Sequence, residues 1–161
     1  MTHPSISKEQ KTLNQWAYIL GYLGTIPFLS LAVTLLLVDT QSSILVASAL
    51  HLYGAIILSF LGGLHWGRIA CKQDNKTSDK WFLVYSVIPS LIGWSSFLLS
   101  YLWQGASSML IAGFFISYVI DVHFSKLGEW QSWMKPLRTN LTLIACFSLT
   151  VLLLHQLTIE L

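Results

Sequence analysis

Residues 40–67 read TQSSILVASALHLYGAIILSFLGGLHWG, a stretch with no charged side chain that ends against Arg68. Its length decides the fold. A helix needs about 20 mostly apolar residues to cross a bilayer core roughly 30 Å thick, and this run exceeds that. Three more runs behave alike: Thr12 to Val38, Trp81 to Ile120 and Thr139 to Ile159 hold no Asp, Glu, Lys or Arg. As one helix the run from Trp81 to Ile120 would be about 60 Å long, twice the hydrocarbon thickness. It must therefore fold back, and Gln104-Gly105-Ala106-Ser107-Ser108 supplies the turn. The expectation is an all-α membrane protein of five spans near 16–38, 44–67, 81–103, 107–124 and 138–157, one domain (16–161) after a leader of residues 1–15.

Composition agrees. Of 161 residues, 54% are hydrophobic and 10% charged, against about 25% charged in soluble domains. A soluble domain of this size cannot hide so much apolar surface. The charges that remain are a topological signal. All nine Lys and Arg (Lys8, Lys11, Arg68, Lys72, Lys76, Lys80, Lys126, Lys135 and Arg138) fall on one side of the predicted spans. Cytoplasmic loops retain positive charge, which predicts an N-in, C-out topology. Trp16, Trp66, Trp81 and Trp103 stand at predicted span ends, as an aromatic belt requires. The net charge of +2 is thus no nucleic-acid footprint. Span one is too long for a cleavable signal and lacks a small-x-small site, and the leader has no arginine. The address expected is a bacterial inner membrane, with lipid as the certain partner and a homo-oligomer or other membrane proteins as further ones.

Between spans four and five, Leu127, Trp130, Met134 and Leu137 recur at helical spacing, which predicts a short interfacial helix stopped near Pro136.

Within span two, steps of four link Ala47, His51, Ala55, Ser59, Gly63 and Gly67, five of them small. Small residues let membrane helices approach closely, so Ser59, Gly63 and Gly67, with Gly62 beside them, are expected at a helix contact. Pro27 and Pro89 interrupt spans one and three. Proline frees a carbonyl and usually marks a kink, so the two are expected to open a cleft in the inner half.

These residues carry a resemblance. Tyr53-Gly54-Ala55 followed by Ser59-Phe60-Leu61-Gly62-Gly63-Leu64-His65-Trp66-Gly67 resembles the signature of the transmembrane protein 69-like family (domain of unknown function 3429). Gly21-x-x-Gly24-x-x-Pro27-Phe28, Ser86-Val87-x-Pro89-Ser90-Leu91 and Trp133-x-x-x-Leu137-Arg138-x-x-Leu141-Thr142 are similar to it in order and spacing. The resemblance covers about Gly21 to Thr142. It implies bacterial inner-membrane and mitochondrial relatives with several spans, and no assigned activity, catalytic residue or ligand.

Two constellations bear chemistry. Asp121 falls about one turn inside the inner boundary, where an ionised carboxylate needs a partner, and Arg138 and Arg68 sit at the same depth. One reading is an ion pair stapling spans four and five. The other gathers Asp121, His65 and Tyr22 or Tyr85 around the cleft as a proton or small-ligand site. Separately, His51 and His65 lie fourteen apart, about 21 Å along one helix and on nearly one face. His123 and His155 could complete bis-histidine haem pairs with them. The histidines near interfaces need no such role, and the expectation is no cofactor. No phosphate loop, His-Glu-x-x-His motif, cysteine cluster or Gly-x-Ser-x-Gly setting is present. The leading expectation is a non-enzymatic packing, assembly or small-ligand-binding module. The alternative is a small carrier or redox protein holding haem or quinone in an inner-half cleft.

Overall fold

The computed structural model describes residues 8–71, 77–100, 105–126, 131 and 133–158. All regular structure among them is helical: α1 (Lys8–Leu23), α2 (Ile26–Leu37), α3 (Thr40–Ala70), α4 (Thr77–Leu99), α5 (Ala106–Lys126) and α6 (Met134–Thr158). The first two form one span, so five helices are long and apolar enough to cross a membrane.

Large apolar side chains point outward along them, including Leu36, Leu45, Phe60, Trp94 and Phe147, each more than half exposed. In water so much apolar surface would drive association. Facing acyl chains, it is the expected exterior. Trp16, Trp66 and Trp81 are exposed as well; Trp103 lies outside the described residues.

Span one breaks at Gly24-Thr25, just ahead of the Pro27 interruption that the sequence predicts. The Thr25 amide and hydroxyl both turn back to the Tyr22 carbonyl, at 2.9 and 2.8 Å. Pro27 then sits in the first turn of α2, where a missing N–H costs nothing. The Tyr53 hydroxyl donates to the Gly24 carbonyl at 2.7 Å, so a carbonyl at the break is capped from α3. In contrast, α4 runs unbroken through Pro89.

Two other helix starts differ from expectation. Helix α1 begins at Lys8, so part of the supposed leader is already helical. Of the expected interfacial helix, Leu127 and Trp130 lie outside the described residues, whereas Met134 and Leu137 belong to the first turn of α6. Pro136 thereby helps open a helix, again where its missing donor is harmless. Helix α3 starts cleanly because the Asp39 carboxylate accepts from the amides of Gln41 and Ser42. The Ser42 bonds foremost hold that carboxyl below its usual range.

The most extensive contact is α3 against α4, followed by α5 against α6. Buried positions on α3 recur in sevens: His51, Leu58, His65 and Ala55, Gly62, Ile69. The core they join includes Phe28, Leu50, Leu110, Phe114 and Leu149.

This periodicity corrects the expected packing face. Steps of seven drift only about 20° around a helix, whereas each step of four drifts about 40° at 100° per residue. By Gly63 and Gly67 the stripe of small residues has rotated off the contact. A Cβ at either glycine meets nothing within 4 Å. Ser59 returns its hydroxyl to the Ala55 carbonyl at 2.9 Å. The close approach is made by Gly62, against the carbonyl of Ser86 and the ring of Pro89, and by Gly93, where a Cβ would lie 2.8 Å from the Ala55 oxygen. Gly113 serves α5 in the same way, against Leu58.

Candidate functional site

Asp121, near the end of α5, is 8% exposed and meets both α3 and α6. His65 Nε2 lies 3.0 Å from Oδ1. Arg138 places Nε at 2.7 Å and Nη2 at 2.5 Å from Oδ2. The carboxylate therefore takes three donors from two neighbouring helices. His65 needs only its neutral Nε2–H tautomer to contribute, and it is 2% exposed.

Aromatic rings wall the imidazole. Tyr85 stands edge-on with centroids 5.5 Å apart, and Phe124 lies at 5.2 Å. The Arg68 guanidinium sits 4.3 Å above the Phe124 ring, a cation–π contact. Tyr85 turns its hydroxyl to Ser117 at 3.3 Å.

Asp121, His65 and Arg138 are brought together, with Tyr85 and Arg68 in the surrounding wall. Tyr22 is on the α1–α6 seam, where its hydroxyl accepts from Asn140 Nδ2 at 2.9 Å. Phe124 and Ser117 escaped the sequence reading, although each shares a face of α5 with Asp121 at helical spacing. Their apolar or neutral chemistry gave no reason to single them out.

His51, 1% exposed, occupies a second polar cluster. Its Nε2 is 3.3 Å from Ser96 Oγ and its Nδ1 3.3 Å from Ser107 Oγ. Ser107 donates to Gln156 Oε1 at 2.7 Å. The bis-histidine pairings that spacing allows meet a different arrangement. His65 faces a carboxylate, His51 faces hydroxyls, and His123 is exposed, about 200° around α5 from Asp121.

A cavity of about 180 Å³ adjoins the Asp121 cluster. It lies at the break in span one, lined by Gly24, Thr25, Phe28, Leu61 and Phe114, with Arg138 and Thr142 contributed by α6. A larger groove of about 600 Å³ follows α5 and α6, past Phe115, Leu143 and Cys146. Among the described residues no group of three His, Cys, Asp or Glu is disposed to hold a metal ion.

A family model described as "Protein of unknown function (DUF3429)" matches residues 13–154. The chain belongs to this family. It is 37% identical to transmembrane protein 69 of Xenopus tropicalis over 141 residues, covering 87% of this chain and 54% of that protein. It is 35% identical to transmembrane protein 69 of Mus musculus over 134 residues, or 83% of this chain and 53% of that one. The chain thus spans about half the length of the curated relatives it matches. No solved structure matches it. The DUF3429 match covers Gly62, His65, Asp121 and Arg138 together, so the cluster lies wholly inside the family region.

Proposed function

We propose that this DUF3429 protein acts without enzymatic chemistry, as a membrane module whose fixed helix arrangement serves packing, assembly or binding. The observation that carries the reading is how completely Asp121 is engaged. A carboxylate inside a membrane costs about 2.5–3.5 kcal/mol at mid-depth and less near the surface. Here it is answered by an Arg fork and an imidazole on two other helices. The three groups use one another, which favours a staple across α3, α5 and α6 over a proton donor awaiting a substrate.

In the same reading the N-terminus faces the cytoplasm of a bacterial inner membrane, a topology supported by the nine basic residues. The outward apolar faces meet lipid, and a second copy or another membrane protein would dock there.

Reconstitution in vesicles separates staple from carrier. With a pH-sensitive dye inside and an imposed proton gradient, the native protein should pass no protons, and Asp121→Asn should unfold at a lower temperature. A proton flux that Asp121→Asn abolishes would overturn the staple and install the carrier reading, in which haem or quinone is the guest. The observation favouring that alternative is the cavity beside Arg138.

A further inference from the structure

We propose that the cavity at the break of span one is a binding site for a neutral ring compound bearing a carbonyl oxygen, of the quinone or aryl-ketone class. The first observation is Thr142. It is 7% exposed, lines the cavity, and its hydroxyl has no hydrogen-bond partner among the described residues. Threonines in helices usually return this proton to the carbonyl four residues back. Thr12, Thr139 and Thr150 do so here, at 3.0, 3.0 and 2.8 Å. Thr142 does not, and a buried hydroxyl left unsatisfied is destabilising. An oxygen-bearing guest would remove that cost.

Arg138, one turn before Thr142 on α6, is the second observation. Its Nε and Nη2 bind Asp121, and the residue, whose guanidinium can only donate, lines this cavity as well as the smaller pocket beside Asp121. Two donor-bearing residues one helix turn apart on a cavity wall suit an acceptor, and a carbonyl oxygen is one.

Charge selects a neutral guest. Arg138 and Asp121 pair, and no other residue lining the cavity is charged. A carboxylate guest would leave an unbalanced negative charge among Phe28, Leu61 and Phe114. Size selects a ring. The 180 Å³ volume slightly exceeds that of a cavity of about 150 Å³ that admits benzene, so one substituted six-membered ring fills it. The larger groove shares Thr142 but lacks Arg138, so only the cavity combines both donors.

The test compares duroquinone with durene, which has the same ring and methyls without the oxygens, by calorimetry on the full chain in detergent. Duroquinone should bind saturably at one site, more tightly than durene. Thr142→Val keeps the side-chain shape and removes the hydroxyl. It should weaken duroquinone about fivefold, the worth of one hydrogen bond, and leave durene unchanged. Ala145→Leu, which fills the cavity, should abolish both; if it fails to fold, Thr142→Val decides alone. Equal binding of the two probes, or no effect of Thr142→Val, would overturn the proposal. So would stoichiometric displacement of duroquinone by phosphatidylcholine, which would give the site to a lipid ester. Binding of duroquinone without proton flux leaves the Asp121 staple standing; only the vesicle experiment can install the carrier reading.

Discussion

Gly62 of α3 presses directly on the main-chain carbonyl of Ser86 in α4, with no room for a Cβ between them. A hydrogen at that position is what lets two membrane helices close, since dispersion and not water expulsion drives their association. The neighbour is main chain and not a side-chain tip, so it cannot swing aside.

Gly62→Ala should therefore separate α3 from α4 locally and cost about 1–3 kcal/mol, the usual range for an overpacked site. Gly63→Leu, one residue on and facing open space, should stay within about 0.5 kcal/mol of the native protein. Thermal unfolding in detergent of the two variants measures the difference. Equal losses would mean that α3 is rotated from the orientation described.

Removing one partner of a buried ion pair strands the other. Asp121→Leu leaves Arg138 and His65 facing an apolar side chain and should cost about 3–5 kcal/mol. The double variant Asp121→Leu, Arg138→Met should recover much of that loss, because buried pairs are often replaced by apolar groups at little cost. Arg138→Lys keeps the charge but loses the fork and should fall between. Chemical denaturation of the native protein, Asp121→Leu, Arg138→Met and the double variant completes a double-mutant cycle. Additive losses would show that the two side chains do not interact.

Much of this was legible in the sequence for a physical reason. A bilayer forces each uncharged run into a helix, so the five spans follow from length alone. Asp121 and Arg138 were also readable as partners, because an isolated charge at that depth is untenable. The packing face was not. A count in steps of four ignores a rotation of about 40° per step, and it assigned Gly63 and Gly67 to a contact they do not make. The periodicity in sevens from His51 through Leu58 to His65 held the answer, but Leu58 is neither small nor polar and drew no attention. Thr142 was invisible for another reason. Whether a threonine returns its proton to the backbone depends on its rotamer, which composition does not encode.

Iron bound at the engaged ring nitrogens would break bonds already made. To ligate through Nε2, His65 must leave Asp121 Oδ1, exposing a carboxylate that its geometry currently satisfies. His51 must give up Ser96 or Ser107. Protein purified from cells supplied with haem precursor should accordingly show no Soret band. A stoichiometric band abolished by both His51→Ala and His65→Ala would refute this. The two histidines should also differ in stability. His51→Phe leaves Ser96 and Ser107 their bonds to Gly93 and Gln156, and should cost about 1 kcal/mol or less, in line with membrane hydrogen bonds. His65→Phe strands Asp121 Oδ1 and should cost more.

Orientation is the last expectation, and it rests on charge. The described basic residues stand at the start of α1 (Lys8, Lys11), the end of α3 (Arg68), the start of α4 (Lys80), the end of α5 (Lys126) and the start of α6 (Lys135, Arg138). With five crossings, these are ends on a single side. Retaining positive charge in the cytoplasm then requires the N-terminus inside and the C-terminus outside. Asp39, the cap between spans one and two, and Glu160 would be the charged side chains of the outer side. A reporter active only outside the cytoplasm should be active when fused after Leu161 and silent when fused at Asn75. Reversing the charge signal should reverse the result. Replacing Arg68, Lys72, Lys76 and Lys80 by Gln while adding three lysines after Asp39 removes basic residues from the inner loop and supplies them outside. That variant should lower the activity of the Leu161 fusion and raise that of the Asn75 fusion. If the native Leu161 fusion is silent and the Asn75 fusion active, the chain sits the other way up and the basic residues are held by something other than the cytoplasmic bias.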